Sequence, residues 1–278
     1  MGITNIDKRW IYVMLIAVMV MALIKPVGLA IKVSSETQAV YDAIDKLPEG
    51  SIIWMGFEYD AGGIPELMPA SKSVIRQAFE KNLRMVCGGM WDMSGDMATQ
   101  AFDAVTEDFP EKQYGVDWIN IGYRPGKAIW LDQMYFDAGK ASSGIDAYGT
   151  SLSSLPLMQE FSGIKDADFL MLFSTGTPGI PEYIKTISSP HNKPLGVSCL
   201  SVDVPGVMPY LHAGQAAGAI LGMKGAAEYE VLVNKPGTAV AGMDAQSFAH
   251  LLIIAFIVLG NIGYFLEKKN IAFKGGVR

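Results

Sequence analysis

Glu58 and Asp60 stand two apart where the apolar run Ile52 to Tyr59 ends. Residues two apart on an extended chain project to one side. The two carboxylates could therefore hold a metal ion, polarise a sugar hydroxyl or cap the helix that follows, and solvated acids are the commonest outcome for such a pair. A second cluster, Ser174-Thr175-Gly176-Thr177-Pro178-Gly179, follows the apolar run Phe169 to Phe173. Hydroxyls and free N–H groups at a helix start form an anion-binding arrangement, and the same residues also build a plain capping turn. The loop lacks the Lys of a P-loop and the spacing of a dinucleotide fingerprint, so neither ATP nor NAD is supported and no cofactor is named. The candidate ligand-binding set is Glu58, Asp60, Gly62, Gly63, Ser174, Thr175, Gly176, Thr177 and Gly179. His191, His212 and His250 are scattered, and Cys87 and Cys199 lie inside apolar runs. No Ser-His-Asp, Cys-His or zinc set can be assembled from them, and no catalytic residue or metal site is nominated. Arg124 and Lys127 bracket another helix start, as an ordinary charged surface or a partner contact.

Both clusters are followed by the same tetrapeptide, Gly63-Ile64-Pro65-Glu66 and Gly179-Ile180-Pro181-Glu182. Pro suits the first helical position and Glu the positive end of the helix dipole, so each copy reads as strand, turn and helix start. The echo continues at Met85-Val86-Cys87-Gly88 and Val197-Ser198-Cys199-Leu200, which points to two βαβ units. Five strands are expected, Ile52 to Glu58, Leu83 to Gly88, Asp117 to Ile121, Asp168 to Phe173 and Leu195 to Leu200, with helical spacing between them. Apolar residues on both faces and intervening helices argue for an α/β fold, a doubly wound, mostly parallel Rossmann-like sheet. Right-handed crossovers favour the order 3-2-1-4-5. In that order the first and fourth strands are neighbours at the switch point, so both repeated turns line one crevice. The two cysteines are then separated by two strands, too far for a disulfide, and are expected as buried thiols.

Pro69 is expected to interrupt the first crossover helix early. From about Val207 to Tyr229 a single helix is expected, with Gly214, Gly218 and Gly222 at four-residue spacing. Each glycine costs a helix roughly 1 kcal/mol relative to alanine, which close approach of another backbone would offset, in the domain itself or between subunits.

The ends of the chain differ from its middle. Half of the 278 residues are apolar. Trp10 to Ile24 continues past Lys25-Pro26 to Ile31, and Ser247 to Leu266 is twenty residues without a charge. The expected organisation is a cytoplasmic N-terminus (1–9), a transmembrane helix (10–31), an α/β domain (32–245), a second transmembrane helix (246–266) capped by Asp244, and a cytoplasmic basic tail (267–278). A cleaved signal peptide is the rival for the first helix, but Lys25 and Pro26 occupy the place of a small-residue cleavage site. Residues 33–245 carry 26 acidic and 14 basic residues, net −12, whereas the ends carry 2 acidic and 8 basic. The excess of Lys and Arg at the ends places both termini in the cytoplasm and the domain outside it, in a cell membrane. An acidic domain without clustered Lys and Arg is a poor nucleic-acid binder.

The turn Ile121-Gly122-Tyr123-Arg124-Pro125-Gly126, the segment Gly225-Ala226-Ala227-Glu228-Tyr229 and Leu259-Gly260-Asn261-Ile262-Gly263-Tyr264 resemble two-span membrane proteins of bacteria and archaea that carry a Rossmann-like domain between the spans. The resemblance implies that architecture and no activity. The reading from the residues is a membrane-anchored extracytoplasmic binding or scaffold subunit, with the lipid bilayer and either further copies or other membrane proteins as partners. The alternative is a membrane-bound hydrolase using Glu58 or Asp60, with or without a metal.

Overall fold

The computed structural model describes residues 8–275. The chain divides into two units, residues 31–239 and a second unit made of the segments before and after them. The expected cytoplasmic residues 1–7 and 276–278, and the side chains of the basic tail after Leu266, lie outside the described residues.

Unit 31–239 is built on a parallel sheet of six strands, β1 (Ile52–Glu58), β2 (Arg84–Gly89), β3 (Trp118–Tyr123), β4 (Phe169–Ser174), β5 (Leu195–Cys199) and β6 (Gly218–Leu221), in the order β3-β2-β1-β4-β5-β6. The α/β class, the parallel sheet and the neighbouring first and fourth strands agree with the sequence reading, and a sixth strand is added at the edge. Every residue of β1, β4 and β5 is buried, as central strands covered on both faces require. Helices α2 (Ser35–Asp45), α3 (Ile64–Glu80), α4 (Ser94–Thr106) and α10 (Gly222–Leu232) pack together over one face. The other is covered by α5 (Lys127–Phe136), α6 (Ala138–Ala141), α7 (Ile180–Tyr183), α8 (Ser189–His191) and α9 (Val204–His212), around a core that includes Trp54, Trp130, Phe161, Tyr183 and Val207.

The expected helix over 207–229 is instead α9, β6 and α10. Gly214 and Gly222 have φ of +69° and +63°, values that interrupt a helix and favour glycine. Gly218 lies in β6 beneath α2, where a Cβ would stand 2.7 Å from the Val40 N and 2.8 Å from the Glu36 carbonyl oxygen. The close backbone approach is therefore real, but it is helix over strand within one unit. Pro69 also differs from expectation, since α3 runs through it from Ile64 to Glu80. A proline so near the helix start forfeits one hydrogen bond, and Ser73 Oγ donates to the Pro69 carbonyl at 2.9 Å.

The other unit contains α1 (Lys8–Ile24) and most of α11 (Thr238–Gly275). Among the described residues one helical segment, Thr238–Leu266, is long and apolar enough to cross a membrane. Its 29 residues rise about 43 Å against a hydrocarbon layer of about 30 Å. The expected first span, 10–31, is corrected: α1 ends at Ile24, before Pro26, and its 17 residues rise only about 25 Å. Asp244 is not the cap of the second span either. It lies inside α11, where its buried carboxylate accepts the N–H groups of Val27 and Gly28 at 2.8 Å each and of Leu29 at 3.0 Å.

Candidate functional site

Glu58 ends β1 on the same side as Trp54 and Gly56, because side chains alternate along a strand. Gly56 makes the room there: a Cβ would stand 2.8 Å from the Tyr183 hydroxyl. That hydroxyl donates to Glu58 Oε1 at 3.1 Å and accepts from Trp54 Nε1 at 3.2 Å, while the Met90 N–H donates to Glu58 Oε2 at 2.8 Å. The carboxyl is wholly buried. Burial pushes its pKa from 4.5 up to about 8, against the hydrogen bonds from Met90, Tyr183 and Trp91, which favour the anion. Asp60 does a separate job, capping the turn Ala61–Gly63 by accepting the Gly62 N–H at 2.9 Å. The two acids thus engage different partners.

The turn after β4 sits beside them. Glu58 pairs with Ser174 across the sheet, and the Thr175 N–H continues the ladder to the Glu58 carbonyl at 3.0 Å. Gly63 is buried so closely against this turn that a Cβ would meet Thr175 Cγ2 at 2.7 Å, whereas Gly62 is exposed. Ser174 Oγ accepts the Gly176 N–H at 3.4 Å. Gly179 N–H donates to Glu182 Oε2 at 2.7 Å, and a Cβ at Gly179 would overlap Ser174 Oγ. The Thr177-Pro178 bond is cis, and the Pro178 carbonyl accepts Trp91 Nε1 at 2.7 Å. The amides expected to bind an anion are therefore largely occupied by the protein's own oxygens, one of them a carboxylate.

The open cleft lies one strand over, at the carboxyl ends of β4 and β5. About 250 Å³ in volume, it takes Ser174, Gly176 and Thr177 from the nominated set and adds Cys199, Asp203 and Tyr210. Glu58, Asp60, Gly62, Gly63, Thr175 and Gly179 do not line it. Asp203 Oδ2 is shut off from solvent with no hydrogen-bond partner, and so is Thr175 Oγ1. Burial and the neighbouring Glu66 raise the Asp203 carboxyl above its usual range; burial, then Asp203 and Glu66, push the Cys199 thiol up to about 12. Glu66, the acid of the first tetrapeptide, reaches across to accept the Ser201 N–H at 2.7 Å and its hydroxyl at 2.8 Å. The repeat thus uses its two acids differently: Glu182 caps its own helix, and Glu66 ties the β1 exit to the β5 exit. Sequence reasoning passed over Asp203, although Asp203-Val204-Pro205 repeats the signal of a strand exit with Pro at a helix start.

No protein-family model and no curated protein matches the sequence. Among solved structures, the N-terminal domain of trehalose-6-phosphate phosphatase from Candida albicans is similar at 12% identity with a TM-score of 0.32, over 91% of this chain and 47% of that one. The chain spans about half the length of that structure.

Proposed function

We propose that this chain is a membrane-anchored binding subunit whose α/β domain holds a small solute bearing hydroxyl or ammonium groups in the cleft at the ends of β4 and β5. The carrying observation is Asp203 Oδ2, an acceptor withdrawn from water without a partner. A ligand donor in the cleft would supply the partner that this oxygen lacks within the protein. The Ser174 and Thr177 hydroxyls and the apolar wall of Ile180, Val207 and Tyr210 fit a compact polyol or amine. Glu66 and Asp203 weigh against an anion. In this reading α11 spans the bilayer and α1 crosses it as a shorter second span, with Lys25 snorkelling to the interface, so that both termini face the cytoplasm and the domain stands outside, as the charge asymmetry of the ends favours. The hydrolase alternative would need Glu58 released from Met90 and Tyr183 before it could meet a substrate.

The test is thermal unfolding of the full chain in mild detergent with glucose, glucosamine, spermidine and inorganic phosphate as probes. Stabilisation by at least one donor-bearing probe, absent for phosphate and reduced at least tenfold in apparent affinity by Asp203→Asn, is the expected result. Stabilisation by phosphate alone, or an unchanged response in Asp203→Asn, refutes the assignment.

A further inference from the structure

A second concavity, away from that cleft, has the opposite chemistry. It is a groove of about 200 Å³ between α3, the end of α4 and the linker that leads into α11, lined by Lys72, Arg76, Asp108, Lys235 and Thr238. Lys72 and Arg76 are four apart on α3 and so share a face. Asp108 accepts from both Arg76 and Lys235, the latter at 3.0 Å, so one carboxylate serves two cations. Lys72 has no ion pair among the described residues, which leaves the groove with surplus positive charge in a domain that is otherwise strongly acidic. Glu230, also on the wall, is buried and turned to the Gly237 and Ala239 N–H groups at 2.8 and 3.0 Å, where it caps α11. Those amides are spoken for, and recognition would fall to the three basic side chains.

The groove's position along the chain selects its ligand. Lys235 lies three residues before Thr238, and the uncharged stretch of α11 starts at Ser247, nine residues on. Nine helical residues rise about 14 Å, so Thr238 stands no further than that from the hydrocarbon edge, at the depth of lipid headgroups or just beyond them. We infer that the groove formed by Lys72, Arg76 and Lys235 binds the phosphate of an anionic lipid headgroup. The inference rests on the membrane-anchored reading for the source of the phosphate and not on the solute cleft. Arg76 would present two donors to phosphate oxygens in its planar fork, and Lys72 and Lys235 would act as point charges on either side.

The experiment uses the full chain in nonionic detergent, with thermal unfolding followed against dihexanoyl phosphatidic acid, dihexanoyl phosphatidylcholine or inorganic phosphate. Phosphatidic acid should raise the midpoint, while phosphatidylcholine and inorganic phosphate at equal concentration should not. Lys72→Ala should weaken the apparent affinity for phosphatidic acid about fivefold, the equivalent of about 1 kcal/mol for one cation near a lipid surface. Lys235→Ala, in the exposed linker, should do likewise, and Lys140→Ala, on a distant exposed site, should change nothing. Each variant's midpoint without ligand reports whether it folds. Equal stabilisation by phosphatidylcholine or by inorganic phosphate overturns the lipid assignment, as does wild-type affinity in both groove variants. Extraction of the chain from native membranes by alkaline carbonate would refute the anchor by itself, while the detergent titration still decides the groove.

Discussion

Replacing Glu58 by Gln should make stability insensitive to pH where the wild type loses it. The carboxyl is fully buried among Met90, Tyr183 and Trp54, and its pKa stands at about 8 in the folded protein against 4.5 ordinarily. Between those values the unfolded chain gives up the proton and the folded chain keeps it. The folded state therefore binds more protons, and its stability falls as pH rises. Stabilisation from this group is complete below pH 4.5, declines by about 1.4 kcal/mol per pH unit and is exhausted above pH 8, in total about 5 kcal/mol. Glutamine keeps an acceptor for the Met90 N–H and an amide for the Tyr183 hydroxyl, but it has no charge to bury. Urea unfolding of the full chain in detergent, wild type against Glu58→Gln at half-unit steps from pH 5 to pH 8, measures the difference directly. The variant should gain on the wild type steadily, ending several kcal/mol ahead. A difference constant to within about 0.5 kcal/mol across the range would mean that Glu58 titrates like an exposed acid, and the sealed site would be refuted.

Two further outcomes are expected. Cys87 and Cys199 are both free and buried, with Cys199 held up to about 12 and Cys87 raised by burial, so a thiol reagent at pH 8 without reductant should titrate neither until the protein is denatured and both afterwards. A Cys87 to Cys199 bridge in the native protein would contradict the strand order. Single-cysteine variants placed at the termini and in the acidic domain, treated on intact cells with an impermeant reagent, should label in the domain alone; labelling of the termini alone would reverse the proposed topology.

Central strands were the most legible part of the sequence. Ile52 to Glu58 and Phe169 to Phe173 are apolar on both faces, a pattern that parallel pairing explains, and right-handed crossovers do the rest of the ordering. β6 escaped because Gly214, Gly218 and Gly222 imitate a helical stripe. What separates the two readings is α2 lying on Gly218, a contact between residues nearly two hundred positions apart that no local pattern carries. α1 was overextended because apolar composition continues beyond Pro26 while helical hydrogen bonding does not. The site was half legible. Strand order brings Glu58 and Ser174 together, but Trp91, Tyr183 and Met90 fill the space between the two exits and leave the opening beside β5, where a single Asp carried too little pattern to be noticed.

The tie from Glu66 to Ser201 bears on how any solute would enter. A crevice between two halves closes by a hinge movement only where the halves are free to move. Here a carboxylate on the first half grips both the backbone and the hydroxyl of a residue on the second, spanning β4 to do so. The two halves, already joined by the β1–β4 ladder, are tied a second time at the rim. An occupant of a pocket so braced would gain affinity by not having to order the protein. Binding there would leave amide exchange in the sheet nearly as it was, and the rate of capture would be set by encounter, not by an opening step.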